Sequence, residues 1–166
     1  PGVDFSGYWR LRKMTGEVDQ VMLSSGLNPM NLVMVKSFNY GAGVLQVRIF
    51  QKGNHIAIKS MVMGVQSEEM LNYEIDGAMS RNVDSKRCAH WTNESKTEFV
   101  LETAKLDGTP IPKIYRYMDG KTMMMRVTDG KHTCLEYWDR MDVYAQEVVA
   151  HNPTMAEVVN ILLESN

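Results

Sequence analysis

Four Asp-Gly pairs divide the chain from residue 76 to residue 130 into short segments, and this punctuation constrains the fold more than any other feature. Asp-Gly favours tight turns whose backbone needs positive φ. The segments between the turns are rich in β-branched and aromatic residues, as strands are. They read MLNYEI, KRCAHW, KTEFVLET, KIYRYM, TMMMRVT and HTCLEYWD. Consecutive strands joined by tight turns pair with each other, so the pattern predicts an antiparallel up-and-down meander.

Two further stretches extend this meander toward the N-terminus. The sequence VLQVRIFQKGNHIAIKSMVM alternates on both sides of Lys52-Gly53-Asn54, which is a hairpin signal. The opening stretch VDFSGYWRLRK alternates too, and places Phe5 and Trp9 on one face. About ten strands result. A meander of this length is expected to close into a β-barrel, which removes its free edges.

A helix-turn-helix is predicted between the first strand and the meander, over residues 15–38. Thr15 is the predicted cap of its first helix and Gly26 its end. Asn28 caps the second helix, with Pro29 at the first helical position. Helical spacing predicts that each helix buries an apolar stripe. The stripe of the first helix consists of Val18, Val21 and Met22, and that of the second consists of Met30, Val33, Met34 and Phe38.

The chain is predicted to end in an amphipathic helix after a short helical turn around residues 143–150. Asn152 is its predicted cap, and Pro153 occupies the first helical position. Its apolar stripe consists of Met155, Val158, Val159, Leu162 and Leu163. Such a stripe needs a partner, either the helix's own barrel or another chain. The predicted organisation is therefore a barrel over residues 3–140 and a helical extension over residues 141–166.

Composition excludes several classes of protein. With 166 residues, 44% of them hydrophobic, the chain is expected to form one domain with a sizeable core. A net charge of −2 argues against a nucleic-acid partner. No apolar run approaches the length of a transmembrane helix. Two cysteines do not form a disulfide framework, so reduced thiols and a cytoplasmic location are expected. The 14 methionines suit either a ligand-adapting surface or an ordinary core.

The order of these elements resembles the intracellular lipid-binding proteins, that is, the fatty-acid-binding and cellular retinoid-binding proteins of the calycin superfamily. The likeness runs from Phe5 to Arg140 and is carried by FSGYWRL, GNHIAIKS, AKLDG and DGKHTCLEYWDR. It implies a ten-stranded barrel with the helix pair as a lid over one mouth. The resemblance also implies that Phe5 and Trp9 plug the other end.

The resemblance further implies a binding site for a hydrophobic ligand inside the barrel. Relatives that bind a carboxylate hold it with Arg-x-Tyr on the last strand and a second Arg two strands earlier. Here the last strand reads Leu135-Glu136-Tyr137, and the earlier position aligns with Tyr115, so this clamp is incomplete. The predicted ligand-binding residues are Arg126, Tyr115, Tyr117, Tyr137 and Met124. Alternation alone instead places Arg126 in water, and the strand register is open.

Metal binding and catalysis have weaker signals. Cys88-x-His90 and His132-x-Cys134 each place two metal-ligand types on one face of a strand. Their strands are not neighbours in an up-and-down order, so no metal site and no cofactor is predicted. The motifs of serine hydrolases, phosphate-binding loops and zinc proteases are missing from the sequence, and no enzymatic activity is predicted.

Two functions follow from these observations. The first is a non-enzymatic carrier with one fatty acid or other lipid in a methionine-lined cavity. The alternative is a protein-interaction or scaffold module of a larger, cytoskeletal or membrane-associated protein that binds no ligand. A protein partner on the C-terminal helix and transient membrane contact stay open.

Overall fold

The computed structural model describes residues 2–62, 65–67, 70–142 and 153–164, with side chains of the last segment described over residues 157–163. Three α-helices are found there: α1 (Val18–Ser24), α2 (Pro29–Ser37) and α3 (Pro153–Glu164). A 3₁₀ turn, Asn39–Gly41, follows α2. The strands are β1 (Gly7–Gly16), β2 (Leu45–Lys52), β3 (His55–Val62), β4 (Val65–Gln66), β5 (Leu71–Glu74), β6 (Ser80–Arg81), β7 (Ser85–Trp91), β8 (Glu98–Lys105), β9 (Pro110–Asp119), β10 (Thr122–Thr128) and β11 (Thr133–Met141).

The strands form one antiparallel sheet in the order β4-β3-β2-β1-β11-β10-β9-β8-β7-β6. The segments β4 and β5 both pair with β3, one after the other along it, so the eleven segments occupy ten strand positions. First and last strands pair directly, with Leu11 opposite Trp138. On the other side, a bridge between Ile75 and Ala89 links the end of β5 to β7. The mainly β fold with ten antiparallel strand positions, a helix pair after β1 and a C-terminal helix is thereby confirmed.

The segment from Phe5 to Trp9 buries two aromatic side chains. Phe5 and Trp9 are both 0% exposed. The Trp9 indole Nε1 donates a hydrogen bond to the Phe5 carbonyl oxygen at 2.9 Å. The indole N–H therefore has a hydrogen-bond partner although the ring is fully buried. The Phe5 ring packs edge-on against Phe99, with 5.5 Å between ring centroids. Both residues occupy the core as the sequence predicts.

The helix pair forms where predicted, but two of its details differ from the prediction. The cap at Thr15 is wrong, because β1 continues to Gly16 and Glu17 precedes α1 without a side-chain cap. Asn28 does cap α2, and its Oδ1 accepts from the Asn31 amide at 2.8 Å. The α2 face is also rotated: Leu32 and Val35 are buried, whereas the predicted inner residues Met30 and Val33 are exposed. Apolar residues surround α2 on most sides, so spacing alone does not select its inner face.

The C-terminal helix α3 packs against α2 and β3. Val158, Val159 and Leu162 are buried in the main core, as their spacing predicts, and Leu163 is partly buried. Ile161 is buried as well. The side chain of Met155, the turn at 143–150 and the cap at Asn152 lie outside the described residues. The division into units 3–140 and 141–166 stays a prediction.

Candidate functional site

Strand pairing fixes which side chains of β8 to β11 point into the barrel. In an antiparallel sheet, directly opposed residues share a face. Met123 is opposite Trp138, and both are in the buried core. The alternate positions on these strands therefore face inward, and this inward set comprises Phe99, Leu101, Ile114, Arg116, Met118, Met123, Met125, Val127, Cys134, Glu136 and Trp138.

One row of this inner face carries two ionisable side chains. Met125 is opposite Arg116 on one side and opposite Glu136 on the other, and Phe99 is opposite Arg116 on the next strand. Arg116 is 6% exposed and Glu136 is 4% exposed. We call Arg116 and Glu136 the interior charged pair. Charged side chains are seldom buried without a close partner, so this row is the feature of the barrel interior that most needs an explanation.

The Arg116 guanidinium is poorly satisfied in this environment. One terminal nitrogen lies 3.3 Å from the Met123 sulfur, which is a weak acceptor. Its Nε has no hydrogen-bond partner. Among the described residues, no carboxylate oxygen lies within 4.0 Å of an Arg116 guanidinium nitrogen, the distance that defines an ion pair. Burial lowers the pKa of the Arg116 guanidinium, although Tyr73 and Glu136 oppose this effect. The group is thus a buried donor without a matching acceptor.

The Glu136 carboxyl is buried as deeply as the Arg116 guanidinium. Burial raises its pKa to about 7, and the positive charge of Arg116 limits the rise. Near neutral pH the carboxyl is therefore distributed between a neutral form, which donates a hydrogen bond, and an ionised form. The indole nitrogen of Trp138, on the same strand and the same face, is also buried without a partner. The interior thus contains two unpartnered donors, the Arg116 Nε–H and the Trp138 indole N–H, and one titratable group, the Glu136 carboxyl.

The five residues predicted to bind ligand lie together, but on the outer face of the same strands. Arg126 is opposite Tyr115, and Met124 is opposite both Tyr117 and Tyr137. Because Met123 and Met125 face the core, the alternating positions 124 and 126 face outward. The outward direction of Arg126 that follows from alternation is therefore the one observed. The role of these five residues in ligand binding stays a prediction, now for the outer face of the sheet, where Met124 is only 3% exposed.

The contacts of Arg126 are those of a surface side chain. Its guanidinium stacks over the Tyr115 ring at 4.2 Å from the centroid, and one nitrogen lies 3.8 Å from a Glu98 oxygen. The Arg126 side chain is 41% exposed. Lys13 lies over the Tyr137 ring at 4.6 Å from the centroid. The Nε of Arg126 is nevertheless buried without a hydrogen-bond partner, so these contacts satisfy its guanidinium only in part.

A shift of one residue explains why sequence reasoning missed the interior charged pair. The clamp position two strands before the last strand aligns with Tyr115 in the sequence. The residue that faces the barrel interior there is its neighbour Arg116. On the last strand Glu136 and Trp138 face inward, rather than Leu135 and Tyr137. Moving the pairing by one residue exchanges the two faces of a strand. The available signal was the apolar alternation of Met123, Met125 and Val127, which fixes the inner face of β10.

The interior holds large side chains. Trp9, Trp138, Phe99 and Met123 are all less than 2% exposed. Two clefts, of about 280 and 380 Å³, lie at the outer surface beside Trp91 and Lys96 rather than inside the barrel. A ligand placed beside these four residues would need neighbouring side chains to move, because packed side chains leave little room next to each other. Methionine is the side chain best suited to such movement, because it is unbranched and adopts several shapes at low cost.

These features are those of an antiparallel β-barrel with a helix pair after its first strand, and comparison with solved structures confirms the fold. The fatty acid transporter REP1-NXSQ superimposes with a TM-score of 0.65 and 16% identity, over 85% of this chain and 98% of that one. Human cRBP IV gives a TM-score of 0.61 and 15% identity, over 84% and 99%. A Schistosoma mansoni fatty acid binding protein, solved with arachidonic acid, gives 0.62 and 18%, over 82% and 96%.

The sequence itself is distant from known families. No family model matches it, and no curated protein matches it. The likeness to the intracellular lipid-binding proteins is therefore a structural one, over most of the chain. The same fold occurs in As-p18, an extracellular fatty acid binding protein, at a TM-score of 0.61 and 10% identity. None of the helices in the described part of the chain has the length and apolarity that a membrane crossing requires.

Proposed function

We propose that this protein is a non-enzymatic carrier that binds one hydrophobic ligand with a polar head group inside its β-barrel. A fatty acid, or another lipid with an anionic head, is the ligand class that fits best. The expected location is the cytoplasm, because both cysteines are free thiols. No nucleic acid takes part in this function.

The observation that carries the proposal is the buried guanidinium of Arg116. A charge inside an apolar barrel is costly unless it is paired. A carboxylate head group supplies the missing acceptors, and charge-assisted hydrogen bonds of this kind are among the strong ones. Glu136, with its pKa raised to about 7, is protonated below neutral pH and then donates a hydrogen bond to the same head group.

The apolar tail of the ligand replaces methionine side chains in the core. Met123 and Met125 lie on the inner face next to Arg116 and are nearly fully buried. Displacing them opens space along the row without breaking the hydrogen bonds of the sheet. Burial of the tail contributes about 25 cal/mol per Å² of apolar surface, reduced by the cost of ordering the ligand.

The proposal is tested with two matched arginine variants. Arg116→Leu removes the interior charge, and Arg126→Leu removes the nearest charge on the outer face. A long-chain fatty acid and the corresponding alcohol are titrated into each protein by displacement of a fluorescent lipid probe. We expect Arg116→Leu to weaken the acid by about tenfold or more and the alcohol much less, because only the acid uses the charge. Arg126→Leu should change neither affinity.

The opposite pattern would contradict the interior site. A selective loss of the acid in Arg126→Leu alone would favour the predicted outer set of Arg126, Tyr115, Tyr117, Tyr137 and Met124. Native mass spectrometry of the purified chain, before and after organic extraction, provides an independent readout. A carrier retains a small molecule that extraction removes.

A second candidate function has its own supporting observation. The interior is filled by large side chains such as Trp138 and Phe99, which suits a barrel that serves as a protein-interaction module without a ligand. Such a module neither retains a small molecule nor binds the probe. Its contact surfaces would include the exposed lid residues Met30 and Val33, where transient membrane contact is the competing proposal.

A further inference from the structure

Three metal-ligand side chains converge on the outer face of β7 and β8. Cys88 is directly opposite Glu102, and His90 lies two residues further along β7 on the same face. Their ligand atoms all lie within 4.8 Å of one another. This face is the outer one, because the intervening residues Ala89 and Leu101 are in the core. Cys88 and His90, which share one face of β7, are therefore joined by a third possible metal ligand, Glu102, from the neighbouring strand.

The geometry points to a binding site for a single Zn²⁺ ion, held by the Cys88 sulfur, an imidazole nitrogen of His90 and a Glu102 oxygen. Thiolate, imidazole and carboxylate are the three ligand types that zinc takes in proteins. The fourth position is open to water. Sites with three protein ligands and one open position are an established arrangement for this ion.

The distance between two of the ligand atoms suits this ion. The Cys88 sulfur lies 3.8 Å from Glu102 Oε2. Bonds of about 2.3 Å to sulfur and about 2.0 Å to oxygen, at a tetrahedral angle, separate the two ligand atoms by about 3.5 Å. A movement of a few tenths of an ångström therefore brings both atoms into the coordination sphere. Coordination exchanges the Cys88 thiol proton, which is released to water, for the metal ion.

A lysine side chain holds the Glu102 carboxylate in place. Lys113 Nζ lies 2.6 Å from Glu102 Oε1, whereas the other oxygen, Oε2, accepts from the Cys88 thiol. Hydrogen-bonded carboxylates of this kind are usual around metal sites, because the second contact fixes the ligating oxygen. With Cys88 as thiolate, the two anionic ligands outweigh the one lysine, and the site keeps a net negative charge.

The test uses the full chain with Zn²⁺ and with Co²⁺, which takes the same ligands and reports on sulfur coordination. Zinc affinity is measured by competition with a chromophoric chelator. We expect one Zn²⁺ per chain, and a loss of affinity of more than about tenfold in Cys88→Ser, His90→Gln and Glu102→Gln, since even outer-sphere changes cost about that much. The Co²⁺ complex should show a thiolate-to-cobalt charge-transfer band that Cys88→Ser abolishes.

Two control variants match the cysteine ligand and the histidine ligand. Cys134→Ala removes the other cysteine, which is buried beneath α1, and should leave the cobalt band unchanged. His55→Gln removes a histidine that also faces a carboxylate across a ladder, Nδ1 to Glu74 Oε2 at 3.3 Å, but lacks a cysteine. Zinc affinity should be unaffected by it. Zinc affinity that survives Cys88→Ser, or a cobalt complex without the charge-transfer band, would overturn the proposal.

Discussion

At the scale of single residues, Arg116 is a buried charge whose contacts within the fold do not explain its burial. Its guanidinium is buried, its Nε lacks a partner, and its nearest polar contact is the Met123 sulfur. Replacing a buried charge with an apolar side chain of similar volume is often neutral or stabilising. An arginine kept at such a position is more readily explained by binding than by folding.

We therefore expect Arg116→Leu to raise the free energy of unfolding of the ligand-free protein by about 1–3 kcal/mol. Urea melts at about pH 5 measure the change with Glu136 protonated in both proteins. Arg126→Leu is the matched control and should change stability by less than about 0.5 kcal/mol, since it alters a half-exposed pair. A clear loss of stability in Arg116→Leu would show that the guanidinium is satisfied within the fold.

Glu136 makes a prediction about pH. Its pKa is raised from the model-peptide value of 4.5 to about 7 by burial, so the folded state binds more protons than the unfolded state between these two values. Stability must then fall as pH rises from about 4.5 to about 7. The contribution is at most about 3.4 kcal/mol, since each pKa unit between 4.5 and about 7 corresponds to about 1.36 kcal/mol.

Glu136→Gln should remove this decline and leave a flatter profile across the same interval. Urea melts of both proteins at several pH values measure it. Glu102 and Asp19 do not obscure the result, because the pKa values of both are lowered and their contributions disappear below this interval. Parallel profiles for the two proteins would exclude Glu136 as the titrating group.

The same pair shows where sequence reasoning ends. The sequence contains Arg116 and Glu136 in plain view, yet their direction depends on a strand register that one residue reverses. The β1 strand adds to the difficulty, because its pairing with β11 shifts between Leu11 and Lys13. Alternation within β10, where Met123 and Met125 mark the core, is the local evidence that resolves the direction correctly.

At the scale of elements, α3 shows a prediction that succeeded and α2 one that did not. The apolar residues of α3 form one stripe, and Val158, Val159 and Leu162 of that stripe are buried against the barrel. In α2 the apolar residues are distributed around the axis, so tertiary contacts select Leu32 and Val35. The buried face of a helix can be predicted from its sequence only where polar residues lie on both sides of the apolar stripe.

Removing residues 152–166 should lower the free energy of unfolding by about 2–4 kcal/mol. The loss is the burial of the α3 side chains, offset in part by the entropy of ordering the helix. The core beneath α3 also becomes exposed, so binding of a hydrophobic dye should increase. Urea melts and dye fluorescence of the full and shortened chains measure both effects.

Point variants separate the contact from the change in length. Leu162→Ala truncates a side chain that is 1% exposed and lies beside Gly41, so it should reproduce much of the loss. Asn160→Ala alters the exposed face of the same helix and should be nearly neutral. If the shortened chain melts like the full chain, and only the full chain is a dimer, α3 is an interaction element for a second protein.

At the scale of the whole molecule, the barrel is closed unevenly. The first strand pairs with β2 on one side and with β11 on the other, so the ends of the meander are joined by continuous ladders. On the opposite side, β6 is two residues long and pairs only with β7. There, an Ile75–Ala89 bridge and a 2.7 Å hydrogen bond from the Asp76 amide to the Ala89 carbonyl connect β5 to β7.

This asymmetry was only partly accessible from the sequence. The Asp-Gly turns and the alternating segments predict the number and order of the strands, since sequential hairpins leave few topologies open. Closure is a property of strand twist and of long-range pairing, which no local pattern encodes. The position of the weak join, between β5 and β7, was therefore found only in the structure.

The uneven closure predicts where the barrel opens first. Hydrogen exchange of native proteins is fastest where backbone hydrogen bonds are few and contacts are sparse. Amides of β6, at Ser80 and Arg81, should therefore exchange at least about 100-fold faster than those of β11, which pairs on both sides. Mass spectrometry of deuterated, digested protein measures this difference by segment.

Shortening the chain by residues 152–166 should speed exchange in α2 and β3, which α3 contacts, and leave the ratio between β6 and β11 largely unchanged. Uniform exchange across all strands would mean instead that the barrel opens only by global unfolding, and the join between β5 and β7 would then be as strong as the ladder between β1 and β11.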